Sequence, residues 1–231
     1  MNDKKIIFVI VEGMSDEISL DSILNKIYSK NSLYIEIMHC DLTTKKLVTP
    51  ANILSHISNL IKRYIANYHV KKKDFQQIIQ LVDTDGAFIP DDNIVQDDSI
   101  AAIYYSDTEI RTNNSRAIIQ RNKQKRENLL KLIGTDTIWG IPYRVFYMSC
   151  NLDHVLHDKQ NATEKEKEDD SYTFADRYGN DIPGFWNFFS KSDFSIMIEY
   201  KESWDFIRKD LHSLGRFSNF CGYVSMQFKP D

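Results

Sequence analysis

The chain has 231 residues, 42% hydrophobic and 27% charged, an ordinary globular balance with enough length to bury a proper core. Its net charge of −4 excludes a uniformly basic nucleic-acid coat, so contact with a polyanion has to use a local patch. Cys40, Cys150 and Cys221 lie far apart with no C-x-x-C pair, which supports neither a disulfide framework nor a zinc ribbon and fits a reducing, cytoplasmic setting.

Met1 to Lys5 leads into the apolar run Ile6 to Val11, which Glu12 interrupts; the run is too short for a signal peptide, and no stretch is long enough to span a membrane. A continuous β-branched and aromatic run of this kind predicts a strand buried on both faces of a parallel sheet. Glu12-Gly13-Met14 breaks it, and Ser15 can cap a helix whose first turn holds Asp16 and Glu17 and whose face carries Leu20, Ile23, Leu24 and Ile27. Leu33 to Met38 predicts a second strand, and Ala51 to Tyr68 a second helix with Ile53, Leu54, Ile57, Leu60, Ile61, Tyr64 and Ile65 on one side. The next strand, Ile78 to Val82, ends in Asp83-Thr84-Asp85-Gly86, where the chain turns. Further strands are expected at Ala101 to Tyr105 and Tyr143 to Met148, with a polar, basic helix near Asn114 to Ile133 between them.

Parallel neighbours need a crossover, and a helix is the usual one, so this alternation predicts an α/β fold with a mostly parallel sheet flanked by helices. After about residue 158 the alternation stops. Glu164 to Asp170 is a charged run that reads as a solvated or mobile insertion, and Phe185, Trp186, Phe188, Phe189, Trp204, Phe206, Ile207 and Leu211 predict helices beyond it. The expected division is an α/β domain over 1–158 and a mainly helical C-terminal extension over 159–231.

Ligands of open parallel sheets bind beyond the carboxyl ends of the strands, and both acidic motifs fall at such ends. Asp83 and Asp85 are one residue apart, so in extended geometry their side chains point the same way and can share a cation. Glu12 completes the set if the first and third strands are neighbours. Three carboxylates without compensation would repel one another, and a hard cation, Mg²⁺ first and Mn²⁺ second, is the natural remedy. Asp85-Gly86 taken alone reads as a turn, and Asp16 serves equally as a helix-dipole complement or as a metal ligand.

Val11-Glu12-Gly13-Met14-Ser15-Asp16 after one hydrophobic strand and Asp83-Thr84-Asp85-Gly86 after another resemble the signature of the TOPRIM family, named for topoisomerases and primases. The resemblance covers roughly residues 5–155 and is nearest to the branch of OLD-family nucleases and small ribosomal-RNA maturases. It implies a Rossmann-like catalytic domain in which Glu12 acts as general acid or base and helps hold metal, while Asp83 and Asp85 hold Mg²⁺. Asp16 matches the extra acid of the nuclease branch. Asp153 is a candidate for a later acid serving a second metal, or equally a helix N-terminal acid after an Asn151 cap; Lys201 is a candidate for the lysine that accompanies such sites. The implied activity is Mg²⁺-dependent cleavage of DNA or RNA phosphodiesters, in antiphage defence with an ATPase or sensor partner and with self-association. RNA maturation is one alternative. A non-catalytic TOPRIM-like partner subunit of a larger complex is the other.

Positive charge for a nucleic-acid substrate is concentrated in Arg111, Arg116, Arg121, Lys123, Lys125 and Arg126, which could grip phosphates or form a solvated helix face. His154 and His157, at i, i+3, have zinc spacing but no further His nearby. There is no G-x-x-x-x-G-K-[ST] loop for ATP hydrolysis and no nucleophile elbow.

Overall fold

Ile6 to Val11 are all buried, as a strand covered on both faces must be, and they form β1 (Lys5–Val11). The computed structural model describes residues 5–29 and 33–227. β1 is followed by α1 (Met14–Ser29), β2 (Leu33–His39), α2 (Ile53–Tyr68) and β3 (Phe75–Asp83). β2 and β3 both pair with β1 in parallel, Ile10 standing opposite Met38 on one side and Gln80 on the other. β7 (Thr137–Ile138) and β8 (Ile141–Met148) complete a five-stranded sheet of order β2-β1-β3-β8-β7, with β7 antiparallel to β8. The fold is therefore α/β, with a mostly parallel sheet and flanking helices compatible with a Rossmann-like architecture.

The chain separates into two units, Met1–Leu81 with Glu127–Val145 and Ser171–Gly184, and Val82–Arg126 with Phe146–Asp170 and Phe185–Asp231. In the first unit α2 buries Ile53, Ile57, Leu60, Ile61 and Tyr64, the face its apolar spacing predicts. Tyr64 meets Phe8 edge-on at 5.4 Å between ring centroids. Gln80, buried in β3, accepts a 2.7 Å hydrogen bond from the Tyr143 hydroxyl, which offsets the cost of a polar group inside the sheet.

The second unit contains a small sheet of β4 (Ile94–Gln96), β5 (Tyr104–Tyr105) and β6 (Ile110–Thr112), ordered β4-β6-β5. Ile94 and Ile110 from it pack with Ile89, Ile118 and Leu214 into one apolar cluster. Ile118 belongs to α3 (Ser115–Ile133), the expected basic helix. The strand expected at Ala101 to Tyr105 shrinks to Tyr104–Tyr105 and joins this small sheet, pairing antiparallel with β6.

The remaining helices are α4 (Leu152–His157), α5 (Glu164–Gly179), α6 (Ile182–Lys191), α7 (Tyr200–Ile207) and α8 (Phe220–Gln227). The charged run Glu164 to Asp170, largely exposed, opens α5. Its local reason is a capping box: the Thr163 hydroxyl accepts from the Glu166 N–H at 3.3 Å, and the Glu166 carboxylate accepts from the Thr163 N–H at 2.8 Å. Trp204 on α7 is fully buried and meets Tyr147 at 5.0 Å. Among the described residues no helix is long and apolar enough to cross a membrane.

Candidate functional site

In the first unit Glu12 follows β1 by one residue and is half-buried. The loop after β2 reaches it: the buried Thr43 hydroxyl donates to Glu12 Oε1 at 2.8 Å. Asp41 holds that loop in an Asx turn, its Oδ1 accepting from the Thr43 N–H at 2.9 Å and the Thr44 N–H at 3.2 Å. Asn128 Nδ2 donates to the Thr43 carbonyl at 2.9 Å, fixing the loop from the other side. Sequence reasoning missed Asp41 and Thr43; the signal was an Asp-x-Thr turn directly after a parallel strand. Asp16, 7% exposed, accepts from the Gly13 N–H at 2.9 Å, the N3-to-N-cap half of a capping box at the start of α1.

In the second unit β3 ends at Asp83, whose Oδ1 accepts from the Leu152 N–H at 3.0 Å. The turn that follows is tied along its backbone, Thr84 and Asp85 donating to the Met148 and Cys150 carbonyls at 3.2 and 2.8 Å and Gly86 to Ser213 at 3.2 Å. Asp85 has φ 48° and Gly86 φ 66°, so the chain is left-handed there, not extended. The alternation that would aim Asp83 and Asp85 the same way thus stops at Asp83, since a strand's period of two holds only while the backbone stays extended.

Asp85 is met by Lys125, whose fully buried ammonium lies 2.5 Å from Asp85 Oδ2, while the carboxylate keeps 22% exposure. Arg121 donates to the Asp85 carbonyl at 3.0 Å and to the Tyr105 hydroxyl at 2.7 Å. Burial alone would raise the Asp85 pKa, but the Lys125 and Arg121 charges outweigh it and hold the carboxyl below its usual range. Burial pushes the Cys150 thiol well above its ordinary value, helped by the charges on Asp85 and Asp83, so it is a poor nucleophile. Asp153 is 5% exposed in the first turn of α4, whose N-cap Asn151 accepts from the His154 N–H at 2.8 Å.

The six candidate nucleic-acid cations do not share one environment. Arg116 and Lys123 are exposed; Arg111 pairs with Glu109 at 2.5 Å; Arg126 donates to the Ala87 carbonyl at 3.4 Å; Arg121 and Lys125 turn to Asp85. Lys201, on α7, is exposed. Burial lowers the pKa of His154 and His157 from the ordinary imidazole value, and among the described residues no three His, Cys, Asp or Glu side chains gather as a metal site. The donors at hand are nonetheless carboxylate oxygens, which suit a hard cation, and the Lys125 ammonium stands in for the positive charge that Asp85 requires. No family model, curated protein or solved structure matches the chain.

Proposed function

We propose that the chain is a TOPRIM-like nuclease that cleaves phosphodiester bonds in DNA or RNA with Mg²⁺, or Mn²⁺ in its place. One observation carries the reading: each acidic motif follows the carboxyl end of a strand, Glu12 after β1 and Asp83 at the end of β3, and β1 and β3 are parallel neighbours. An ion held by the carboxylates of either motif, Glu12 or Asp83 and Asp85, would when bound supply Lewis-acid stabilisation of phosphate charge and an acidified water. Glu12, oriented by the Thr43 hydroxyl, is the group we assign to proton transfer. The Leu152 N–H fixes the rotamer of Asp83, and Lys125 keeps Asp85 ionised at neutral pH.

A second reading, a non-catalytic TOPRIM-like partner subunit, is favoured by the same Lys125 contact, because an acid already neutralised by a buried ammonium has less need of a metal. Plasmid DNA, single-stranded DNA and total RNA incubated with the protein in Mg²⁺, Mn²⁺ or EDTA separate the two. Cleavage that EDTA abolishes supports the nuclease, and the arm in which it occurs names the polymer. Intact polymers in every arm, with no heat of Mn²⁺ binding by calorimetry, support the partner subunit.

A further inference from the structure

A cavity of about 590 Å³ in the first unit lies along α2, lined among others by Cys40, Lys45, His56, Asn59, Lys62 and Arg63. No carboxylate is among the described residues that line it, and His56, Lys62 and Arg63 make no ion pair among the described residues. In a chain of net charge −4 this is a local concentration of basic side chains. Its position matters as well: the Cys40 N–H donates to the Val11 carbonyl at 2.7 Å, so the cavity begins beside the residue that precedes Glu12.

Trp139 extends the same face. Lys62 Nζ lies 5.4 Å from the centre of its ring and Lys72 Nζ 4.9 Å. Trp139 and Gly140 form the two-residue loop between β7 and β8, where Ile138 pairs with Ile141, and both have positive φ, 51° and 73°. A hairpin loop of this kind favours Asn-Gly or Asp-Gly, and a bulky aromatic at positive φ is strained. Trp139 is 40% exposed, so core packing does not explain the choice. Strain retained at an exposed aromatic beside free cations is the mark of a contact surface.

We propose that this face binds a single strand of nucleic acid, phosphates lying along Lys45, His56, Lys62 and Arg63 and a base stacking on Trp139. An incoming base displaces one lysine ammonium from the ring, and that ammonium meets the adjoining phosphate. Stacking on an aromatic needs an unpaired base, which is why a strand is favoured over a duplex. The inference extends the nuclease reading, and its test omits metal so that the two fail separately.

Fluorescence anisotropy of labelled oligodeoxythymidine and oligouridine, titrated with the full chain in EDTA, measures the binding, with a duplex of equal length as comparison. The expected result is a strand bound more tightly than the duplex and quenching of tryptophan emission. Trp139→Asn, which suits the turn, should weaken binding about ten-fold without lowering the melting temperature. Lys62→Ala with Arg63→Ala should reduce the log–log salt slope by about 1.4, two phosphate contacts on a single strand. Equal affinity for duplex, or variants that bind as the parent does, overturns the inference even if Mg²⁺-dependent cleavage is found.

Discussion

Lys125 shows how much a single residue's environment can change its meaning. By composition it belongs to a basic helix; in the structure it is fully buried against Asp85. The clue lay in spacing: Ile118, Asn122, Lys125, Leu129 and Leu132 recur at intervals of four, three, four and three, and all are buried, so a lysine occupies the inward stripe of α3. Charge alone does not distinguish a solvated lysine from a paired one, which is why Lys125 reads as a phosphate contact. Lys125→Met leaves Asp85 without its partner and should cost about 3 kcal/mol in urea unfolding at pH 7. Asp85 has a folded pKa below its unfolded one, so its pairing adds stability above about pH 4 that is lost as pH falls through the folded value. The gap between parent and variant should therefore be widest at neutral pH and narrow in acid, which unfolding curves over that range would read. Gly86 is constrained differently: a Cβ there would lie 2.7 Å from Leu214 Cδ2 and 2.9 Å from Ile110 Cδ1, at positive φ. Gly86→Ala should lower stability by about 2 kcal/mol or more, from backbone strain plus overpacking.

At the scale of elements, the long ones were legible and the short ones were not. β1, α2 and β3 carry apolar runs or helical spacing strong enough to predict within a few residues. β4, β6 and β7 have two or three residues each, too few for any period to show, and they exist because tertiary contacts such as Ile94 with Ile110 hold them. In α5 a run of mixed charge, most of it exposed, shows no apolar period, while Thr163 and Glu166, three residues apart, spell its capping box. Asp16 makes a comparable cap, its carboxylate receiving the Gly13 N–H at the start of α1. Asp16→Ala should cost about 1 kcal/mol of stability in thermal or chemical unfolding. The same variant, assayed at a temperature where it is folded, should keep its metal-dependent cleavage; its loss would make Asp16 part of the reaction.

For the whole molecule, strand order does what no single motif could. The pairing of β1 with both β2 and β3 brings the carboxyl ends of three parallel strands to one edge, and the acids Glu12, Asp41 and Asp83 each lie at or just beyond such an end. Glu12 and Asp83 could be read from the sequence because each closes an apolar run. Asp41 and Thr43 could not, because their role depends on the loop they build, and a loop contact such as the Thr43 hydroxyl on Glu12 leaves no periodic trace. The central claim is that the acids at these strand ends carry out a metal-dependent phosphodiester cleavage. Its most direct measurement is the rate of nucleic-acid cleavage in Mg²⁺ by the parent, Glu12→Ala and Asp83→Ala, with folding of each checked by circular dichroism. The account predicts cleavage by the parent and a loss of at least about a hundred-fold in each folded variant, the scale of a missing general base. Undiminished cleavage by both folded variants would contradict it.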